Sequence, residues 1–186
     1  RVGLCKITRL VSLCWSARDS MNSGPSIPSI PPNGLELQSV NIEHDAERIT
    51  RLMQSTCIAS LDCPELTERI SAQAILDSYV ASPLYAAQRW FCACRPHRST
   101  EDVGLLIVGD DDESDQTELV YLGVTPKFRG RGYGAELVKL AQGCTVESRR
   151  RRMTVGVDIR NSPAIRIYRA AGFLPYTEHL LWADEG

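Results

Sequence analysis

A short glycine-rich stretch in the second half of the chain constrains the fold more than any other feature. It follows an apolar, strand-like run at 118–122 and precedes an amphipathic helix predicted over about 134–148. The stretch contains Gly130, Gly132 and Gly134. Because glycine has no Cβ, this backbone can turn tightly and approach a ligand closely. The pattern therefore predicts a strand, a tight binding loop and a helix in succession.

The predicted helix start is suited to binding a phosphate or pyrophosphate. The first N–H groups of a helix have no intrahelical partner, and the positive end of the helix dipole lies behind them. Lys127, Arg129 and Arg131 add positive charge that suits phosphate oxygens. The G-x-G-x-G spacing differs from the dinucleotide fingerprint G-x-G-x-x-G, and no Lys-Ser/Thr pair follows as it would in a P-loop.

Composition excludes several classes of protein. The 186 residues suit one domain, with 43% hydrophobic and 24% charged residues. The net charge of −2 gives no basic field that would attract nucleic acid, and no apolar run reaches the roughly 20 residues of a membrane span. None of the seven cysteines has zinc-site spacing, so we expect no metal and reduced thiols in a cytoplasmic protein.

The start of the chain looks unlike the rest. Residues 19–34 are rich in Pro, Ser and Gly, which is typical of a linker. We therefore expect residues 1–34 to be a disordered N-terminal extension and 35–186 to be the folded domain. The first residue is Arg1, so Met21 is a hypothesis for the native start. A targeting peptide is not favoured, because the apolar run near the N-terminus is short.

Hydrophobic periodicity predicts the element order β-α-α-β-β-β-α-β-α-β-β, a mixed sheet with helices on both faces. Strands are predicted at 35–40, 89–94, 103–108, 118–124, 153–159, 173–174 and 177–182. Helices are predicted at 44–55, 67–80, 134–148 and 162–171, with Ser162 as the N-cap of the last helix and Gly172 as its left-handed C-terminal cap.

Two charge runs have alternative interpretations. The acidic run 110–115 is favoured as a solvated hairpin tip, the alternative being a patch for a cationic substrate or a metal. The basic run 149–152 is favoured as a complement to a helix C-terminus. Its alternatives are a contact with a ligand phosphate and a contact with RNA.

Two motifs together resemble those of the GCN5-related N-acetyltransferases, the GNAT family. The first is R-x-x-G-x-G, formed by Arg129, Gly132 and Gly134. The second is N-x-x-A-x-x-x-Y-x-x-x-G-F at 161–173. The resemblance covers residues 35–183 and implies the GNAT α/β fold, a mixed and mostly antiparallel sheet flanked by helices.

The resemblance implies an acyltransferase that moves an acetyl group from acetyl-CoA to a primary amine by direct attack in a ternary complex. It implies cosubstrate contacts from Leu122, Gly123, Val124, Arg129, Gly130, Arg131, Gly132, Tyr133, Gly134, Ala135, Asn161 and Tyr168. The N–H group of Val124 would stabilise the oxyanion. Tyr168 would be the general acid, and either Glu118 or a water chain would be the general base.

The acceptor stays open, whether peptide, protein lysine, polyamine, aminoglycoside or metabolite. Asp62 and Glu65 could attract a cationic amine, while Tyr121 and Asp158 are weaker substrate-side candidates. No role is predicted for the histidines, which are His44, His97 and His179. One alternative is a non-catalytic acyl-CoA-binding module of a longer chain. A nucleic-acid-linked protein is a third, less favoured hypothesis, and a homodimer is an option.

Overall fold

The described strands form one seven-stranded mixed sheet with the order β2-β3-β4-β5-β6-β1-β7. The computed structural model describes residues 4–17, 34–82, 88–95 and 101–184. The strands are β1 (Leu4–Ser16), β2 (Glu36–Ser39), β3 (Gln88–Cys94), β4 (Asp102–Asp111), β5 (Gln116–Val124), β6 (Arg152–Asp158) and β7 (Leu174–Asp184). The helices are α1 (Ile42–Cys57), α2 (Pro64–Arg69), α3 (Ala72–Val80), α4 (Tyr133–Glu147) and α5 (Ser162–Ala170).

Helices cover both faces of the sheet, as predicted. On one face, α1 and α3 pack through Ile49, Leu52 and Leu76 against buried residues of β3 and β4. On the other face, Leu137 of α4 and Tyr168 of α5 belong to the larger core cluster. Strand β4 is buried continuously from Val103 to Gly109 because both of its faces are covered.

Strand β1 corrects the prediction that residues 1–34 form a disordered extension. Residues 4–16 pair antiparallel with both β6 and β7, so the N-terminal segment lies inside the sheet. The physical reason is an alternation of apolar side chains: Leu13 is 0% exposed and Trp15 is 5% exposed, and Val11 packs against the same cluster. Of the linker predicted at 19–34, residues 19–33 lie outside the described residues and residue 34 is described.

The C-terminal end of the sheet also differs from the prediction. A single strand, β7, replaces the two strands expected at 173–174 and 177–182. Pro175 does not interrupt it: Pro175 lies opposite Leu13, and the irregularity between Ser12 and Leu13 leaves Tyr176 as the extra residue of β7. Strand β1 thus lies between β6 and β7 in the sheet.

Two helix predictions are corrected by local capping. The helix expected at 67–80 is two helices, because Ile70 is extended and the Ser71 side chain accepts a hydrogen bond from the Ala74 N–H group at 3.1 Å. The N-cap of α5 is Asn161 rather than Ser162. Gly172 adopts φ 87°, which agrees with the predicted left-handed cap.

The two charge runs contact each other. The acidic run is a hairpin tip between β4 and β5, and the basic run follows α4. Arg150 forms an ion pair with Asp112, and Arg151 forms one with Asp115 at 2.8 Å. The pairs give both runs a structural role. No described helix is long and apolar enough to cross a membrane.

Candidate acetyltransferase site

Strands β5 and β6 separate after three residue pairs, which opens a gap in the sheet. Their parallel pairing ends at Glu118 opposite Thr154. On the other side of β5, Ile107 pairs with Tyr121 and Val108 with Leu119, so Val120 is an extra residue in a β-bulge. A bulge bends its strand and increases its twist, which turns the rest of β5 away from β6.

The backbone of β5 beyond the bulge has unpaired groups that face this gap. The Thr125 N–H group donates to the Val103 carbonyl of β4 at 2.9 Å. Because successive residues of a strand point their N–H groups to opposite sides, those of Leu122 and Val124 point away from β4. They are therefore directed to the side on which β6 has diverged.

The glycine loop and the start of α4 lie at the end of β5. Gly130 and Gly132 have φ values of 72° and 85°, a region that favours glycine. The first α-helical bond runs from the Glu136 N–H group to the Gly132 carbonyl at 3.2 Å. The preceding N–H groups consequently lack an intrahelical partner, which agrees with the predicted anion-binding geometry. The Arg131 guanidinium lies 5.8 Å from the ring centre of the buried Phe128.

The other two cations near the loop are engaged within the protein. Lys127 forms an ion pair with Glu101. The Arg129 guanidinium donates to the carbonyls of Val124 at 3.0 Å, Ile58 at 2.8 Å and Ala59 at 3.2 Å. A further bond, to Thr56 at 2.8 Å, completes its contacts with the C-terminal end of α1. The side chain of Arg129 thus holds α1, which differs from the prediction that it adds charge beside a phosphate.

Asn161 and Tyr168 lie at the two ends of α5. The Asn161 Oδ1 atom accepts from the Ala164 N–H group at 3.3 Å, and its side chain also hydrogen-bonds Asp62. Tyr168 is 7% exposed, and its ring centre lies 5.6 Å from that of Phe173. Burial raises the pKa of Tyr168, and the charge of Asp62 adds to the shift. Within the described residues its hydroxyl has no hydrogen-bond partner.

Glu118 lies at the point where β5 leaves β6. Its side chain is exposed to solvent, and desolvation by nearby protein, followed by the charge of Asp111, raises its pKa. A raised pKa makes a carboxyl group a stronger base, which suits a residue that takes up a proton in catalysis. The charge of Glu118 also affects the pKa of Tyr79, a residue for which the sequence predicted no role in the site. Burial, followed by the charges of Asp62, Cys57 and Glu118, raises the pKa of Tyr79 to about 12.

Tyr79 and Tyr121 form an aromatic wall beside these carboxyl groups. Their ring centres are 6.4 Å apart with an edge-on orientation. The Tyr121 hydroxyl forms a 2.6 Å hydrogen bond with the Thr56 hydroxyl, and burial raises the pKa of Tyr121. Tyr79 was missed because its neighbours come from other elements, and the only local signal was an aromatic residue on the inner side of a helix.

Asp158 is a structural hub rather than an accessible substrate group. It is 0% exposed and accepts from the Thr8 hydroxyl at 3.0 Å, the Cys63 N–H group at 3.2 Å and the Arg160 guanidinium at 2.7 Å. Burial disfavours its charge, but these donors outweigh that effect and lower its pKa. Glu65 is paired with the same Arg160 at 2.7 Å, which holds the pKa of Glu65 at about 2.

No group of three or more His, Cys, Asp or Glu side chains in the described ranges could hold a metal ion. The Acetyltransferase (GNAT) family model matches residues 68–173, which include the gap, the glycine loop and α5. The chain belongs to the GNAT acetyltransferase family. No curated protein matches the sequence.

Solved structures share the GNAT fold with this chain. A GCN5-related N-acetyltransferase from Sphaerobacter thermophilus has 17% identity and a TM-score of 0.64, over 98% of this chain and 53% of that one. One from Kribbella flavida has 17% identity and a TM-score of 0.62, over 99% and 61%. A tandem GNAT protein from the clavulanic acid biosynthesis pathway has 19% identity and a TM-score of 0.64, over 100% and 56%. The chain therefore spans little more than half the length of these structures.

Proposed function

We propose that this GNAT chain transfers an acetyl group from acetyl-CoA to a primary amine by direct attack in a ternary complex. The observation that carries the proposal is the gap beyond Glu118, with unpaired β5 backbone groups at its side and the open start of α4 at its end. The gap suits an extended pantetheine arm, and the helix start suits a pyrophosphate.

The proposed contacts follow the chain from β5 to α5. The backbone groups of Leu122 and Val124 would bind the pantetheine arm in place of the missing β6 partner, while Gly123 between them keeps β5 close to α1. The N–H groups of the loop and first helical turn would bind the pyrophosphate, from Gly130, Arg131, Gly132, Tyr133, Gly134 and Ala135. Arg129 would support the loop through its contacts with α1, and Asn161 would act from the far side of the gap.

Chemistry requires a neutral amine, a stabilised oxyanion and a protonated leaving thiol. The amine nitrogen attacks the thioester carbon, and the Val124 N–H group donates to the oxygen that becomes negative. The carbon–sulfur bond breaks as the acetyl–nitrogen bond forms. Tyr168 gives its proton to the departing sulfur, and Glu118, directly or through water, takes the proton that the amine loses.

Binding is tested first by a thermal shift with acetyl-CoA. At about 100 times its Kd a ligand adds about 2.7 kcal/mol to the free energy of unfolding, which raises Tm by roughly 5–10 °C in a chain of this size. Gly132→Glu puts a side chain and a negative charge at the helix start, so it should abolish the shift. Arg131→Glu is a second variant in case the first fails to fold, and Lys139→Glu on exposed α4 surface is the control.

Turnover is tested by release of the CoA thiol across a panel of amines. Tyr168→Phe should lower kcat with little change in the Kd for acetyl-CoA, because the ring stays packed and only the proton is lost. Normal turnover by this variant would rule out Tyr168 as the acid.

A second candidate is a non-catalytic acyl-CoA-binding unit of a larger protein. It is supported by the coverage of only 53% and 56% of two similar structures, one of which is a tandem GNAT protein. This candidate predicts a thermal shift with acetyl-CoA and no thiol release with any amine.

A further inference from the structure

The loop at 58–63, here called the bridging loop, crosses the end of the gap between β5 and β6. It joins α1 to α2. At its start, the Arg129 guanidinium binds the carbonyls of Ile58 and Ala59 just beyond β5. At its end, the loop is bonded to Asp158, the last residue of β6. The loop is therefore fixed to both strands that form the gap.

The attachment to β6 is reciprocal. The Asp158 N–H group donates to Asp62 Oδ1 at 2.9 Å, and the Cys63 N–H group donates to Asp158 Oδ2 at 3.2 Å. Ala59 and Cys63 have φ values of 52° and 47°, which are unfavourable for residues with a Cβ. The bonds at both ends compensate for this strain and give the Asp62 carboxylate a fixed position.

Asp62 has the properties of a group that meets a ligand. Its side chain is exposed to solvent. Desolvation by the surrounding protein, followed by the charge of Asp158, raises the pKa of Asp62. Hydrogen bonds from the Asp158 backbone and Asn161 lower this pKa but do not outweigh the increase. Among charged groups, Asp62 is the one that raises the pKa of Tyr168. Its Oδ1 atom accepts from the Asp158 N–H group, so Asp62 lies beside the last residue of β6, at the end of the gap.

The other carboxyl groups of this region are already neutralised or more distant. Asp158 is buried and forms an ion pair with Arg160, and Glu65 is paired with the same arginine. Glu118 lies at the other end of the gap, at the last residue pair between β5 and β6. Asp62 is accordingly the solvent-exposed carboxylate that the bridging loop holds at the end of the gap.

We propose that Asp62 is the acceptor-binding residue of this site and selects amines that arrive as ammonium ions. The inference rests on the proposed acetyl transfer and deepens it by naming the acceptor class, an aliphatic cationic amine. Asp62 binds the ammonium group in the ground state, and Glu118 takes the first proton, whose loss makes the amine neutral. The second nitrogen proton leaves after attack and restores the Tyr168 hydroxyl that protonated the sulfur. A carboxylate in a partly desolvated position binds a cation more strongly than one in bulk water.

The test separates binding from turnover. Calorimetry with the CoA-loaded protein measures the affinity for n-butylamine, tyramine and 1,4-diaminobutane, and for the alcohol that matches each amine. Asp62→Asn keeps an oxygen for the Asp158 N–H group while removing the charge. Asp77→Asn, on the exposed surface of α3, is the matched control.

We expect at least one amine to bind the wild-type protein at least about tenfold more tightly than its alcohol, a difference typical of a charge-assisted contact. Asp62→Asn should lose this preference and leave the Kd for acetyl-CoA unchanged, whereas Asp77→Asn should keep it. The inference is overturned if the wild type binds none of the amines, or if Asp62→Asn retains the preference. Amine binding that depends on Asp62 without thiol release would refute the acetyl transfer alone.

Discussion

Gly123→Ala tests the close packing of β5 against α1, on which the shape of the gap depends. A Cβ atom at position 123 would lie 2.6 Å from Thr56 Cβ, 2.7 Å from its Oγ1 and 2.9 Å from its Cγ2. These distances are about 1 Å shorter than the optimum between carbon atoms. The Thr56 side chain is held in place, because its hydroxyl also bonds Tyr121 at 2.6 Å and the Met53 carbonyl at 3.0 Å.

Relief of this clash requires α1 to move away from the sheet. Overpacking of this kind costs about 1–3 kcal/mol of the free energy of unfolding. Because about 1 kcal/mol corresponds to 2–4 °C in a chain of this length, we expect Tm to fall by roughly 2–12 °C. Urea unfolding followed by circular dichroism measures the free energy directly, and the m-value shows whether the native state has stayed compact.

Gly156→Ala in β6 is the matched control, because no atom lies within 4 Å of the added Cβ. It should be neutral or stabilising by up to about 1 kcal/mol. Thr56→Gly removes all three obstructing atoms, so the double variant with Gly123→Ala should lose less stability than the two single effects added together. Equal stability of Gly123→Ala and Gly156→Ala would refute the packing argument.

Three further predictions concern the attachments of the sheet. Leu13→Ala should lower the free energy of unfolding by about 2–5 kcal/mol, whereas no change in urea unfolding would mean that β1 is not in the sheet. Arg129→Gln should speed amide hydrogen exchange in the bridging loop, because the bonds to the Ile58 and Ala59 carbonyls are lost. Unchanged exchange there would contradict the role of Arg129 in fixing this loop. Asp158 has a lowered folded-state pKa, so its stabilisation is present above the unfolded value of about 3.9 and is lost as pH falls through the folded value. Asp158→Asn should flatten the acid limb of stability against pH, and parallel curves would disprove this.

The elements around the glycine loop could be predicted because their signals are local. The strand β5, the loop and α4 follow within about 30 residues, and each has its own pattern of apolar residues, glycines and caps. The same holds for α5, where Gly172 marks the C-terminus. The family follows from the motifs that these elements contain, and the family match at residues 68–173 includes them.

The position of β1 could not be predicted from one sequence. Val11, Leu13 and Trp15 alternate as a strand should, but the pattern names no partner, and Leu13 pairs with Val155 far along the chain. The following Pro/Ser/Gly-rich stretch suggested a linker between an extension and a domain. From the residue pattern alone, a strand that pairs with distant residues looks the same as a short apolar segment in a disordered tail.

The site contacts of Asp62 and Arg129 were hidden for a related reason. Arg129 belongs to a motif that suggests phosphate binding, yet its guanidinium contacts carbonyls about 70 residues earlier in the chain. Asp62 Oδ1 meets the Asp158 backbone over a separation of 96 residues. Such pairs depend on the crossing of α1 over the sheet, which residue spacing does not encode.

Because β1 lies between β6 and β7, it can join the sheet only late in synthesis. Thr8 and Asp158 are 150 positions apart, so β1 must wait until β6 and β7 have been translated before its neighbours exist. Pairings over such separations fold slowly, and an unsatisfied strand is prone to aggregation in the meantime. Nascent chains stalled before β6 should therefore expose Leu13 and Trp15 to protease and to chaperones, and protection should come only after β6 and β7 have been made.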